Sequence, residues 1–100
     1  MQVKQFYNKN HFTRENKSEI ILQSYESDVA RIDKKNNILE FGVNWDYSRT
    51  TLKNLYLFIA DYVETLVNNK EISKIFTMSN KKEYLQKLID KKEIKINYNL

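Results

Sequence analysis

The run Ile38-Leu39-Glu40-Phe41-Gly42-Val43-Asn44-Trp45-Asp46-Tyr47-Ser48-Arg49-Thr50-Thr51-Leu52-Lys53-Asn54-Leu55-Tyr56-Leu57-Phe58-Ile59 changes its hydrophobic period halfway along. Leu39, Phe41, Val43 and Trp45 fall on every second residue and would line one face of a strand, with Ile38, Glu40, Gly42 and Asn44 on the other. Past Ser48 the period becomes helical. Leu52, Leu55, Tyr56, Ile59, Val63 and Leu66 follow a three-and-four spacing, and Ser48 is placed to cap the orphan amides of the first turn. One strand therefore feeds one long helix, from Arg49 to about Asn68, which packs back over the Leu39/Phe41/Val43/Trp45 face.

Upstream of this junction, Lys34-Lys35-Asn36-Asn37 supplies a turn, because Asn tolerates the left-handed conformation that tight hairpins need. Val29 to Asp33 and the β-branched run Glu19 to Tyr25 precede it as strands, so residues 19 to 45 form a three-stranded meander. Gln2 to Tyr7 alternates weakly around Val3 and is a candidate first strand. Asn8 to Ser18 is polar and reads as a loop or exposed hairpin tip, with its single histidine, His11, in solvent.

Downstream, Ile72, Ile75 and Phe76 repeat at helical spacing and suggest a helix of two turns. Ser79 or Asn80 caps a further helix, with Glu83 three residues past Asn80 in a capping-box arrangement. Tyr84, Leu85, Leu88 and Ile89 form its apolar stripe. Ile94, Ile96, Tyr98 and Leu100 then alternate with polar residues as a closing strand that returns to an edge of the sheet. The predicted fold is a single α+β domain, residues 1–100: a small, mainly antiparallel sheet covered by one long helix, with two shorter C-terminal helices.

Composition removes several function classes. Lys, Asn and Ile number 14, 12 and 10, Gly occurs once and Pro never, the bias of an A/T-rich genome. With no cysteine, disulfides, thiolate chemistry and the usual zinc fingers are excluded. A single Gly, Gly42, permits no glycine-rich phosphate loop. One histidine and no carboxylates at ligand spacing leave a metal centre without ligands, so neither metal nor cofactor is expected. No apolar run reaches the length of a membrane span and the N-terminus does not read as a secretory signal, which predicts a cytoplasmic chain. Asp46, Tyr47 and Ser48 beside Arg49 hint at a nucleophile, but Ser48 is accounted for as a helix cap and Asp46 as a turn residue. The expectation is binding without catalysis.

Two surfaces are candidates for that binding. Leu57 falls on the polar side of the long helix and Phe58 at the edge of its buried arc. Either another element covers them, or with Tyr56 they anchor a partner or a homodimer. The second candidate is electrostatic. Residues 1–69 balance in charge, whereas residues 70–100 hold eight lysines against four acids, the whole of the net +4. Lys81, Lys82, Lys87, Lys91 and Lys92 could meet nucleic acid or an acidic protein surface, in an order of elements that resembles a winged helix-turn-helix. Against that reading, the helix has no Arg, only Gln86 placed to read bases, and acids at Glu83, Asp90 and Glu93.

Ser24-Tyr25-Glu26, Val29-Ala30-Arg31-Ile32-Asp33, Tyr47-Ser48, Thr50-Thr51 and Leu52-Lys53-Asn54-Leu55-Tyr56 before Phe58 carry a resemblance over roughly positions 20 to 60. The pattern, SY…VA.I…YS.TT.KHL..F, resembles a family of short proteins encoded by phages and mobile elements of low-GC Gram-positive bacteria. Where many of those carry His after the Lys, this chain has Asn54, so no imidazole role is inherited there. The resemblance implies a setting and no reaction: phage or prophage cargo, in which small proteins often act as inhibitors of host defence or as regulators. Its most concrete form is an inhibitor of a host defence nuclease, of anti-CRISPR type, acting on a Cas effector or its guide assembly. A DNA mimic is excluded by the basic charge. A small DNA- or RNA-binding regulator is the alternative, and an accessory phage protein a third.

Overall fold

A computed structural model describes residues 2–63 and 70–100, the side chains of 8, 9 and 63 apart. The chain is α+β. Six strands form one sheet in sequence order: β1 (Gln2–Phe6), β2 (Asn8–Glu15), β3 (Glu19–Ser24), β4 (Ser27–Asp33), β5 (Ile38–Phe41) and β6 (Lys95–Ile96). β1 to β5 are an antiparallel meander, and β6 joins β5 in parallel, Phe41 opposite Ile96. Helix α1 (Arg49–Phe58) continues into a π-helical turn, Ile59–Val63. Helix α2 (Lys70–Ser73) runs into a 3₁₀ turn, Lys74–Thr77, and helix α3 (Lys81–Asp90) follows.

The meander is longer than the periodicity suggests. Residues Asn8–Glu15 are strand β2, not a loop, because both neighbours satisfy its backbone while its inward positions are His11 and Thr13. A buried His and Thr do not register in a hydrophobic period. The third predicted strand is shorter than expected. β5 stops at Phe41, and the backbone turns at Gly42, whose N–H donates to Val29 O at 3.0 Å. Val43 is consequently exposed, while Trp45 folds back and stacks on Phe41 with ring centroids 5.3 Å apart.

Helix α1 begins where Ser48 predicts: Thr51 N–H donates to Ser48 Oγ at 3.1 Å. It packs on β3 and β4, burying Leu55, Phe58 and Ile59 with Ile20, Leu22, Ile32, Leu39 and Phe41. The predicted end of the long helix, near Asn68, lies outside the described residues. Phe58 is core and not surface, with the Phe6 ring of β1 6.1 Å from its own. Asn80 caps α3 by accepting from Glu83 N–H at 3.1 Å. At its other end Lys92 takes φ 64°, while Glu93 N–H reaches Leu88 O and Lys92 N–H reaches Ile89 O. That is a Schellman closure with lysine in the usual glycine position.

Candidate functional site

Antiparallel register sets His11 of β2 opposite Ser24 of β3. The first turn of α1 lies over that pair. Ser24 Oγ is 2.8 Å from His11 Nε2 and 3.0 Å from Thr51 Oγ1, and Ser48 Oγ donates to Thr51 Oγ1 at 3.1 Å. His11, Ser24 and Thr51 are buried, at 0%, 3% and 1% exposure. One proton assignment satisfies every hydroxyl: Ser48 donates to Thr51, Thr51 to Ser24, and Ser24 to His11 Nε2. The imidazole is then neutral. Burial agrees, since it holds the His11 pKa below its ordinary value.

This chain of hydroxyls forms the floor of an open cleft of about 670 Å³, where Ser24 and Thr51 meet Ser27, Ser48, Thr50 and Asn44. Its rim carries Tyr25, Glu26 and Tyr47. Tyr25 and Glu26 are the two residues between β3 and β4, and Tyr25 takes φ 55°, a conformation that hairpins usually give to Gly or Asn. The Tyr25 ring leans edge-on against His11, centroids 5.5 Å apart, so the strained residue has a packing partner. Tyr25 and Tyr47 are 50% and 77% exposed. Neither Lys nor Arg contributes to the lining.

The predicted anchors are not assembled in this way. Phe58 is fully buried, while Tyr56 and Leu57 are half-buried against the core, and burial raises the Tyr56 pKa. Leu57 lines a separate, smaller recess with Tyr7, Thr50, Lys53 and Asn54. Nor do the five lysines make one face. Lys81 is half-buried with Nζ 3.4 Å from Met78 O, and Lys92 closes the helix. At about 100° per residue, Lys82 and Lys87 lie on opposite flanks of α3 with Glu83, Gln86 and Asp90 between them. Each also has an acid nearby, Lys82 near Asp46 at 3.8 Å and Lys87 near Glu83 at 3.9 Å. Lys91 is exposed just past the helix. Among the described residues, no three His, Asp or Glu side chains gather as metal ligands, and no helix is long and apolar enough to cross a membrane.

His11, Ser24 and Thr51 were not candidates on sequence grounds. The signal that finds two of them is the resemblance, because Ser24-Tyr25, Tyr47-Ser48 and Thr50-Thr51 all line the cleft. Asn54, where the chain departs from that pattern, is buried one turn beyond Thr51 and donates to Thr50 O at 2.9 Å. No curated protein and no solved structure matches the chain. A family model does match, over residues 1–91, and the chain belongs to that family, a family of unknown function (DUF8033).

Proposed function

We propose that this protein works by binding, without catalysis, and that a protein partner docks on the Tyr25–Tyr47 cleft. The carrying observation is the composition of that cleft: two exposed tyrosines over hydroxyl and amide side chains, with no lysine in the lining. Interfaces favour this mixture, since tyrosine offers a large rigid contact at small entropic cost while Ser, Thr and Asn adapt their hydrogen bonds. The Ser24–His11 pair has the polarity of a nucleophile and its base. However, Ser24 is 3% exposed and its oxygen is engaged from both sides, which suits a tie between sheet and helix better than attack on a substrate.

The partner we propose is a host defence nuclease of the Cas type or its guide assembly, the setting to which the resemblance points. The test is affinity capture from a low-GC Gram-positive lysate containing such systems, with and without nuclease treatment, followed by a cleavage assay with the purified effector. The expected result is an effector that stays bound after nuclease treatment, is inhibited, and is lost with Tyr47→Ala. Recovery of nucleic acid, with proteins released by nuclease treatment, overturns the reading in favour of a nucleic-acid-binding regulator.

A further inference from the structure

We propose that His11, Ser24, Thr51 and Ser48 form a reversible chain, through which a proton taken up by the buried imidazole turns the Ser48 O–H out into the cleft. The device belongs to the fold and does not depend on the cleft being a docking surface. Each link is short: 2.8 Å from His11 Nε2 to Ser24 Oγ, 3.0 Å on to Thr51 Oγ1 and 3.1 Å on to Ser48 Oγ. His11, Ser24 and Thr51 are buried, whereas Ser48 is half-buried at the cleft and ends the chain. A hydroxyl donates one proton and accepts through two lone pairs, so a file of hydroxyls runs in one direction or the other.

With the imidazole neutral and Nε2 accepting, the protons point inward, from Ser48 to Thr51, from Thr51 to Ser24 and from Ser24 to His11. An imidazolium donates at Nε2, so Ser24 must accept there and pass its own proton to Thr51. Thr51 then donates to Ser48 Oγ, which already accepts from Thr51 N–H at 3.1 Å. Both lone pairs of Ser48 are then engaged, and its proton is left to point into the cleft that it lines. Ser24 and Thr51 keep two partners in either direction, so reversal strands neither, and the cost lies in the buried charge alone. Among the described residues, the titratable or charged groups that the neighbouring elements carry at this end of the sheet are Lys4 of β1, Tyr7 after it, Tyr25 and Glu26 between β3 and β4, and Arg49 and Lys53 of α1. All six are exposed; the Tyr25 ring leans on His11, and the Tyr7 hydroxyl is engaged by Asp61. Burial, with no charged neighbour contributing, lowers the His11 pKa, so the proton is taken up below about pH 6.5. By reciprocity, an acceptor seated over Ser48 raises the proton affinity of His11.

The test is nitrogen and carbon NMR of the isotope-labelled full chain between about pH 8 and about pH 5. At high pH the imidazole shifts should report the tautomer protonated at Nδ1. Through the His11 titration, the amides of Ser48 and Arg49 should move with the same midpoint. In Thr51→Val, which keeps the shape but breaks the file, His11 should still titrate while Ser48 and Arg49 stop following it. Ser48→Ala should weaken proton binding at His11 about tenfold, since the Thr51 O–H of the charged state loses its acceptor, and Ser48→Thr should restore it. A neutral ring protonated at Nε2, a His11 midpoint indifferent to Ser48→Ala, or Ser48 and Arg49 shifts that persist in Thr51→Val overturns the proposal. Unfolding before the imidazole titrates also overturns it, because the folded chain then never carries the proton.

Discussion

His11 is the one histidine of the chain, and its place under α1 makes the hydroxyl chain sensitive to pH. Folded, its pKa is held below the ordinary value near 6.5 by burial, so over the interval between the two values the unfolded chain binds the extra proton. Stability is therefore complete above about pH 6.5 and falls as the pH drops through that value toward the folded pKa. Protonation at Nε2 would also turn the acceptor of Ser24 into a donor, and Ser24 and Thr51 would have to reverse. The urea midpoint should fall between pH 7.5 and 5.5, a range below which most carboxylates titrate. In His11→Gln, whose amide oxygen still accepts from Ser24, that slope should vanish; a slope that persists would place its origin elsewhere. Ser24→Ala leaves a buried imidazole nitrogen and a buried Thr51 hydroxyl without their partner, and chemical denaturation should register a loss of about 1–3 kcal/mol.

Elements were legible where burial is apolar and illegible where it is polar. α1 followed from the spacing of Leu52, Leu55 and Ile59 together with the Ser48 cap, and the β4–β5 turn from Asn37, which takes φ 55°. β2 did not follow, because its buried positions are His11 and Thr13 and its order comes from hydrogen bonding to strands on either side. Of the two alternatives open for Phe58, a covering element or an interface, the structure shows cover, from Phe6 of β1. The His11–Ser24 pair was beyond reach for the same reason, since it depends on a register that pairs residues 13 apart. At Gly42 the geometry gives a sharp expectation. A Cβ there would lie 2.3 Å from Asp28 O, a backbone atom of β4. Gly42→Ala must push β4 from the junction, and thermal or urea unfolding should show a loss of about 1–3 kcal/mol, with Trp45 fluorescence reporting the disturbed stack on Phe41. Ser48→Ala should cost about 1 kcal/mol through the lost cap.

At the scale of the whole molecule, the excess positive charge and the proposed docking cleft belong to different parts of the chain. Residues 70–100 supply the net +4, whereas no Lys or Arg is among the residues lining the cleft. This separation distinguishes a protein partner docked on the cleft from nucleic acid, whatever the identity of either. Lys82→Glu with Lys87→Glu changes two exposed side chains and brings the formal charge from +4 to zero. Nucleic acid would be repelled by that change, and its binding, already steep in salt, would collapse. A protein partner seated on the cleft would keep its contacts there, since neither lysine lines it, so its association should hold. Surface plasmon resonance with the captured effector, run at two salt concentrations on the parent and the double variant, reads both quantities. Association that is unchanged, with dissociation unaltered, is the expected outcome. A collapse of binding in the double variant would move the working surface from the cleft to α3, and the fold would then serve to present a helix instead of a cleft.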